Sequence, residues 1–221
     1  KMNGTFMYAS EIKSLLRHPD FVKELNAEAL KPYMTFQYPA IGETFFKGVY
    51  KLPEGHYFTY RDGKMDIHRY YDEDFREGKQ KLGELVNSID QTVCDSVKAH
   101  QIADVEVGSF LSSGVDSSYV AAVARPQHTY SIGFGKGTYN ESQQAGELAE
   151  LLKLNNTAES LTDEEAFAAF PRIQWHLDEP DSNPSCVPLY FLSALAAKDV
   201  KVVLSGEGAD ELFAGYIDYG V

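Results

Sequence analysis

The most informative stretch of the chain is residues 110–118, which read FLSSGVDSS. An apolar strand ends here in small hydroxyl and glycine residues, and a helix begins at once. Small residues let backbone N–H groups approach an anion, hydroxyls add donors, and the amino end of a helix adds partial positive charge. The stretch therefore predicts a phosphate or pyrophosphate site, although it lacks the Gly-Lys-Ser/Thr ending of a P-loop. The alternative is that Ser112 and Asp116 merely cap the helix.

A second strand end has the same character. Residues 202–216 read VVLSGEGADELFAGY, so a buried strand stops at Ser205-Gly206 and acidic residues follow within a glycine-containing turn. A carboxylate beside a phosphate is repulsive unless Mg²⁺ bridges the two groups. We therefore expect the two strands to be neighbours and to place Asp116 and Asp210 around one metal-bound polyphosphate.

Strands and helices alternate in the second part of the chain. Apolar residues at three- and four-residue spacing predict an amphipathic helix over residues 79–100. Strands are predicted at 105–111, 129–134, 157–161 and 200–204, and helices at 117–124, 141–152, 163–176 with Thr162 as N-cap, 188–198 and 210–216. This alternation is typical of an α/β fold, a parallel sheet with helices on both faces, which binds ligands at the carboxyl ends of its strands.

The first part of the chain has a different pattern, rich in Tyr, Phe, Gly and Pro. Residues 61–64 read RDGK between two short apolar runs, which predicts a β-hairpin. Ser10 is expected to cap one short helix, and Asn26 precedes a second. These differences divide the chain into two predicted domains, residues 1–72 and residues 80–221.

The composition excludes several classes of protein. The 221 residues carry 20 Lys+Arg against 33 Asp+Glu, a net charge of −13, which argues against a protein that binds duplex nucleic acid. No apolar run approaches the roughly 18 residues that a membrane span needs. The two cysteines, Cys94 and Cys186, are typical of a reducing compartment, and the histidines show no metal-ligand spacing. We expect a cytoplasmic protein that binds neither nucleic acid nor membrane.

Five segments carry a resemblance to a known family. Residues 112–117 resemble the pyrophosphate loop of the ATP-pyrophosphatase enzymes, usually Ser-Gly-Gly-x-Asp-Ser. Residues 205–216 are similar to the signature of glutamine-dependent asparagine synthetase and of its close relative β-lactam synthetase. Three further segments resemble asparagine synthetase, and they are Asp178-Glu179-Pro180, Tyr139-Asn140-Glu141 and Ala9-Ser10-Glu11-Ile12-Lys13-Ser14-Leu15. The five markers occur in the right order over nearly the whole chain.

The resemblance implies a fold, a reaction and a set of site residues. The fold would be adenine nucleotide alpha hydrolase-like, preceded by the C-terminal part of an α+β glutaminase domain of the Ntn type. The reaction would be ATP- and Mg²⁺-dependent synthesis of asparagine from aspartate through β-aspartyl-AMP, with ammonia derived from glutamine. Asp116 and Asp210 would hold Mg²⁺, and Glu207 would orient or deprotonate the ammonia. The implied ATP- and pyrophosphate-binding residues are Leu111, Ser112, Ser113, Gly114, Asp116, Ser117, Ile132, Ser205 and Gly206.

The chain departs from the family pattern in two ways. Ser113 stands where the pyrophosphate loop usually has glycine, and a residue this small should still permit binding. The family's catalytic N-terminal cysteine has no counterpart here, because the chain starts at Lys1, and the chain stops at Val221 just after the second signature. We therefore expect an internal fragment of a longer enzyme, and we expect that enzyme to form a homodimer. Two alternatives stay open, a β-lactam synthetase-like cyclising enzyme and a non-catalytic nucleotide-binding or dimerisation module.

Overall fold

The computed structural model describes residues 4–74, 76, 78–135 and 141–217. It divides into two compact units. One unit combines Lys1–Gly78 with Pro171–Asn183, and the other combines Lys79–Phe170 with Pro184–Val221. Residues 171–183 thus group with the amino-terminal part of the chain, although their sequence neighbours on both sides belong to the second unit.

The first unit contains short helices and a hairpin. Helix α1 is Ile12–Leu15, a 3₁₀ turn at Ala27–Ala29 leads into α2 at Leu30–Phe36, and strands β1 and β2 are His56–Arg61 and Lys64–Arg69. The predicted hairpin is confirmed, since β1 and β2 pair antiparallel. Asp62 and Gly63 connect them with φ values of 49° and 76°. Two consecutive positive φ values are typical of the tight turns that match the twist of a hairpin.

The prediction that Ser10 caps α1 is wrong. The helix has Glu11 at the N-cap position, with no side-chain capping bond. Asp178 accepts instead, because its two carboxylate oxygens lie 2.6 Å from the backbone nitrogen of Ile12 and 3.2 Å from that of Lys13. A carboxylate at the amino end of a helix satisfies free N–H groups and opposes the helix dipole. The predicted second short helix is confirmed as the 3₁₀ turn that leads into α2, and the Asn26 side chain accepts from the backbone N–H of Glu28 at its start.

The second unit holds a parallel sheet. Its four strands lie in the order β5-β4-β3-β6, and every neighbouring pair is parallel. The predicted α/β fold class is therefore confirmed. In chain order the elements are α3 Leu82–His100, β3 Val107–Phe110, α4 Val115–Ala124, β4 His128–Phe134, α5 Glu141–Leu152, β5 Asn155–Leu161, α6 Asp163–Leu177, α7 Cys186–Ala196, β6 Val202–Leu204 and α8 Ala209–Phe213. Helix α6 begins in this unit, and its last residues belong to the first unit.

Residues close in sequence determine where α6 begins and where α8 ends. Thr162 accepts from the backbone N–H of Glu165 at 3.2 Å, and the Glu165 carboxylate accepts from Thr162 in return, so the predicted cap of α6 is confirmed as a capping box. Helix α8 is shorter than predicted, because Ala214 follows Phe213 with a φ of 55°, a left-handed conformation that ends a helix.

Apolar side chains cover both faces of the sheet. On one face Leu111 packs with Ala121 of α4 and with Ala145 and Ala149 of α5. Tyr130 points to the other face, where it packs with α7 and the segment that follows it. Successive residues of a strand point to opposite faces, so β3 and β4 contribute to both layers. None of the helices in the described part of the chain is long and apolar enough to cross a bilayer.

Candidate functional site

The two strand ends predicted to face one ligand are adjacent. Strands β3 and β6 are parallel neighbours, with Ser109 opposite Leu204 in the register. Ser112 and Ser205 follow these strands at the same edge of the sheet. Parallel α/β proteins bind their ligands at this edge, where the chain turns from a strand into a helix.

Gly206 brings the second strand end into direct contact with helix α4. A Cβ atom at Gly206 would lie 2.6 Å from the backbone nitrogen of Ser117 and 2.8 Å from the carbonyl carbon of Asp116. Real Cβ atoms do not approach backbone atoms this closely, so only glycine fits here. The contact joins the two loops at the amino end of α4.

The first loop, residues 112–117, is held in shape by its own hydroxyls. The backbone N–H of Ser112 donates to Ser117 Oγ at 3.1 Å, and the two serine hydroxyls lie 2.7 Å apart. Gly114 N–H donates to Ser112 Oγ at 3.1 Å. Gly114 is the N-cap residue of α4, and no side chain caps the helix. The alternative that Ser112 and Asp116 merely cap α4 is therefore wrong, and the exposed Ser113 and Gly114 border an uncapped helix start.

The second loop, residues 205–210, turns more openly. Glu207 N–H donates to Ser205 Oγ at 3.2 Å, and Gly208 adopts a φ of 90° before α8. Glu207 is exposed, whereas Asp210 is half-buried. The Asp210 carboxyl lies beside Gly215, where an added Cβ would come within 2.9 Å of its Cγ. Replacing Gly215 would therefore displace the Asp210 side chain.

Glu211, the third acid of this segment, has a different partner. The Tyr216 hydroxyl donates to Glu211 Oε1 at 2.6 Å and lowers the pKa of that carboxyl. This hydrogen bond favours the ionised form, so Glu211 stays charged and engaged with Tyr216. Among the described residues, no hydrogen bond or ion pair engages the carboxylates of Glu207 and Asp210.

Leu111 directly follows strand β3, and Ile132 lies on the neighbouring strand β4. The Leu111 side chain is 2% exposed and packs into the core, so this residue offers a ligand only its backbone. Its N–H donates to Tyr130 O at 2.9 Å, and its carbonyl accepts from the Ser131 hydroxyl at 2.7 Å. Ile132 is half-buried and packs on the opposite face.

Asp178 and Glu179, from the Asp-Glu-Pro segment, belong to the first unit. Glu179 is 8% exposed, and its Oε1 accepts from the backbone N–H of Phe45 at 3.0 Å while its other oxygen pairs with Lys51. The Asp178 carboxylate caps α1, as described above. Both acids therefore hold backbone groups of the first unit. Of the remaining marker Tyr139-Asn140-Glu141, the first two residues lie outside the described residues.

Sequence reasoning missed a polar group behind the first loop. Ser131 and Thr129 alternate along β4 on the face that Leu111 also occupies, and Asn156 of β5 contacts both hydroxyls. Two hydroxyl residues at alternate positions of an apolar strand were the available signal, since buried polar groups must find partners. No sequence pattern indicated Asn156.

The fold and the site define a parallel α/β protein with glycine- and hydroxyl-rich loops after two adjacent strands. Comparison with known families makes the assignment specific. The profile of the asparagine synthase family matches residues 88–220, and that of a glutamine amidotransferase domain matches residues 1–71. The chain belongs to the asparagine synthase family.

Individual relatives agree with this assignment. "Asparagine synthetase [glutamine-hydrolyzing] 1" of Bacillus subtilis (strain 168) is 39% identical over 223 residues, covering 99% of this chain and 35% of that protein. A putative asparagine synthetase of Mycobacterium bovis is 38% identical over 233 residues, and the match covers 98% of this chain and 35% of that protein. The chain thus spans about a third of the length of the curated relatives it matches. A solved NMN synthetase from Francisella tularensis is more remote, with 22% identity, a TM-score of 0.41 and coverage of 63% of this chain and 60% of that one.

Proposed function

We propose that the loops after β3 and β6 bind Mg-ATP, and that the protein carrying this chain uses it to make asparagine from aspartate. The observation that supports this most directly is the backbone contact of Gly206 with Asp116 and Ser117. It brings two small-residue loops and the amino end of a ten-residue helix together. Oriented N–H groups of this kind attract phosphate oxygens even in a protein of net charge −13.

The first loop would hold the β- and γ-phosphates that leave as pyrophosphate. Ser112, Ser113, Gly114 and Ser117 offer backbone N–H groups and hydroxyls there. The Ser112 and Ser117 hydroxyls, 2.7 Å apart, bond to each other. A bound phosphate oxygen would replace this contact and accept a hydrogen bond from the hydroxyl it frees. Ser205 and Gly206 would border the α-phosphate and the ribose. The backbones of Leu111 and Ile132 would border the adenine.

The residues present fit Mg²⁺ that arrives with the nucleotide. Mg²⁺ prefers one or two carboxylates together with phosphate oxygens and water over a cage made only of protein. Asp116 and Asp210, both half-buried, supply two carboxylates. Among the described residues no group of three or more His, Cys, Asp or Glu forms a ready cage. A bound ion would neutralise charge on the phosphates.

The proposed reaction has two steps. A β-carboxylate oxygen of aspartate attacks the α-phosphorus, the bond to the β-phosphate oxygen breaks, and β-aspartyl-AMP and pyrophosphate form. Ammonia then attacks the activated carbonyl carbon, the C–O bond to AMP breaks, and asparagine, AMP and a proton are released. The chain's contribution is to orient the α-phosphate and to stabilise the charge that develops on it. Glu207, exposed at the second loop, would orient ammonia or accept its proton.

The wider setting follows from the same assignment. Glutamine is proposed as the ammonia source, because residues 1–71 match a glutamine amidotransferase domain. The cytoplasm is proposed as the compartment, since it supplies ATP, aspartate and glutamine. A homodimer is proposed as the assembly, which sedimentation analysis would test.

A titration of Mg-ATP by calorimetry tests the nucleotide site. We expect Asp116→Ala to weaken binding by at least about tenfold, or ~1.4 kcal/mol. Glu150→Ala is the matched control, because it removes one exposed acid of α5 in the same unit. Equal affinity of the wild type and Asp116→Ala would contradict the metal assignment, and no binding by the wild type would contradict the site itself.

Isotope transfer tests the reaction in the protein that carries this chain. With aspartate labelled by oxygen-18 in its side-chain carboxylate, the attacking oxygen stays on phosphorus when the C–O bond breaks. One labelled oxygen should therefore appear in AMP for each asparagine formed. AMP release that depends on another carboxylic acid would favour the β-lactam synthetase alternative. Mg-ATP binding with no AMP release in the presence of any acceptor would favour a non-catalytic module.

A further inference from the structure

A buried polar group lies directly behind the first loop. Ser131 and Thr129 are 1% and 0% exposed, and both hydroxyls contact Asn156 Oδ1, at 3.1 Å and 3.0 Å. Each hydroxyl also contacts a carbonyl oxygen. Ser131 Oγ lies 2.7 Å from Leu111 O, and Thr129 Oγ1 lies 3.2 Å from Asn155 O. The group therefore contains four polar contacts around two hydroxyls.

Counting hydrogens favours the reverse orientation of the Asn156 amide, with its nitrogen in the position of Oδ1. The two hydroxyls supply two hydrogens in total. If the Asn156 amide oxygen faces them, the amide oxygen and both carbonyl oxygens can only accept. Two of the four contacts then have no hydrogen between their atoms. With the amide nitrogen facing them, its two hydrogens go to Ser131 and Thr129. Each hydroxyl then donates to its carbonyl, and all four contacts are satisfied. The oxygen and nitrogen of an amide are assigned from such networks.

The orientation matters because of where Leu111 O points. The carbonyl of Leu111 and the N–H of Ser112 belong to one planar peptide unit. The carbonyl accepts from Ser131 at 2.7 Å, and the N–H donates to Ser117 Oγ at 3.1 Å. The peptide unit that opens the first loop is thus held at both ends. Hydrogen bonds linked in series also polarise and strengthen one another.

We propose that Asn156 and Ser131 are positioning residues for the nucleotide loop. Asn156 presents its NH₂ group to Ser131, Ser131 thereby donates to Leu111 O, and the 111–112 peptide aims Ser112 at the phosphate site. The inference rests on the proposed nucleotide site, and neither residue touches the ligand. Thr129 shares the same amide but contacts no loop atom, so it provides a matched control.

The first test compares two buried hydroxyls. We expect Ser131→Ala to weaken Mg-ATP binding about tenfold, or ~1.4 kcal/mol, and Thr129→Val to change the affinity less than about twofold. Both variants should lower the melting temperature. Ser131→Thr keeps the hydroxyl and should restore most of the affinity. Equal loss of affinity in Ser131→Ala and Thr129→Val would reduce the group to a purely structural role and overturn the proposal.

The second test isolates the amide. Asn156→Asp has the same shape, but its carboxylate only accepts, so it should draw the Ser131 hydroxyl away from Leu111 O and weaken Mg-ATP binding. If the aspartate variant binds like the wild type, the assigned donor direction is wrong. Asn156→Ala serves as a second variant if the aspartate variant does not fold.

The third test needs no nucleotide, so it separates this inference from the proposed function. We expect the side-chain NH₂ protons of Asn156 to exchange slowly in NMR spectra of the wild type. The backbone amide of Ser112 should exchange faster in Ser131→Ala and stay unchanged in Thr129→Val. Fast exchange at Asn156, or an unchanged Ser112 amide in Ser131→Ala, overturns the inference even if Mg-ATP binds. If both exchange results are as expected but the wild type does not bind Mg-ATP, only the proposed nucleotide site is rejected.

Discussion

Substitution of Gly206 by alanine is the sharpest test of the site geometry. The added methyl group would lie 2.6 Å from Ser117 N, 2.8 Å from Asp116 C and 2.9 Å from Asp116 Cβ. Carbon contacts are comfortable at about 3.5–4 Å, so the two loops must separate by roughly 1 Å. Two of these three atoms are backbone, so rotating a side chain does not relieve the overlap. The strain therefore falls on the junction of the second loop with α4.

The expected magnitude follows from this overlap. Overpacking of a close contact costs about 1–3 kcal/mol. For a chain of this size each kcal/mol lowers the melting temperature by about 2–4 °C. A loop separation near 1 Å would lengthen and weaken the hydrogen bonds to a phosphate, so we expect Mg-ATP affinity to fall by at least about tenfold, or ~1.4 kcal/mol. Thermal unfolding and calorimetric titration measure the two effects separately.

Gly146 provides the matched control. It lies in α5, and a Cβ there would meet no described atom within 4 Å outside the backbone of its own helix. Gly146→Ala should raise stability by about 0.5–1 kcal/mol, because alanine is the better helix former, and should leave Mg-ATP affinity unchanged. If Gly206→Ala matches the wild type in both melting temperature and affinity, the backbone contact does not exist and the two loops do not share a ligand.

Three further predictions concern stability. Glu179→Ala should lower the free energy of unfolding by about 1–3 kcal/mol in denaturant titrations, because the Phe45 N–H loses its buried acceptor. Glu24→Ala removes one partner of an exposed ion pair and should cost under about 1 kcal/mol. If the two substitutions cost the same, the buried Glu179 carboxylate does not stabilise the fold more than an exposed one. Burial and a nearby aspartate raise the pKa of Tyr130 to about 12, so its proton is held more tightly in the folded state than in the unfolded state. Stability should therefore fall as the pH rises from about 10 to 12, by about 2–3 kcal/mol for this group, and less steeply in Tyr130→Phe. Thr162→Ala should remove the cap of α6 and cost about 1 kcal/mol in thermal unfolding without changing Mg-ATP affinity, and an unchanged melting temperature would rule out that cap.

Local patterns predicted the sheet because its strands are short apolar runs between strong helix signals. The same patterns placed Ser112 and Ser205 after strands, and the order β5-β4-β3-β6 made them neighbours. Strand order depends on long-range pairing, so the sequence supported it only as an expectation. The Gly206 contact likewise depends on how closely the end of β6 approaches α4. A glycine permits a close approach, but its presence in the sequence does not predict one.

The features that sequence could not predict involve distant partners. Ser10 has the right chemistry for an N-cap, yet Asp178 caps α1 from a position 166 residues away from Ile12. A carboxylate makes charge-assisted bonds to N–H groups, which are stronger than those of a neutral serine hydroxyl. Asn156 shows the same limitation, because its contacts with β4 follow from strand register and not from any motif.

The discontinuous makeup of the first unit affects how the chain can be dissected. The polypeptide passes between the two units three times, at residues 78/79, 170/171 and 183/184. A protease cut near residue 79 would leave the halves joined by noncovalent bonds, since Asp178 and Glu179 would still hold α1 and Phe45. A truncated chain ending at residue 78 would lack both carboxylates. Expressing that unit alone would require residues 171–183 as an added peptide or a fused segment.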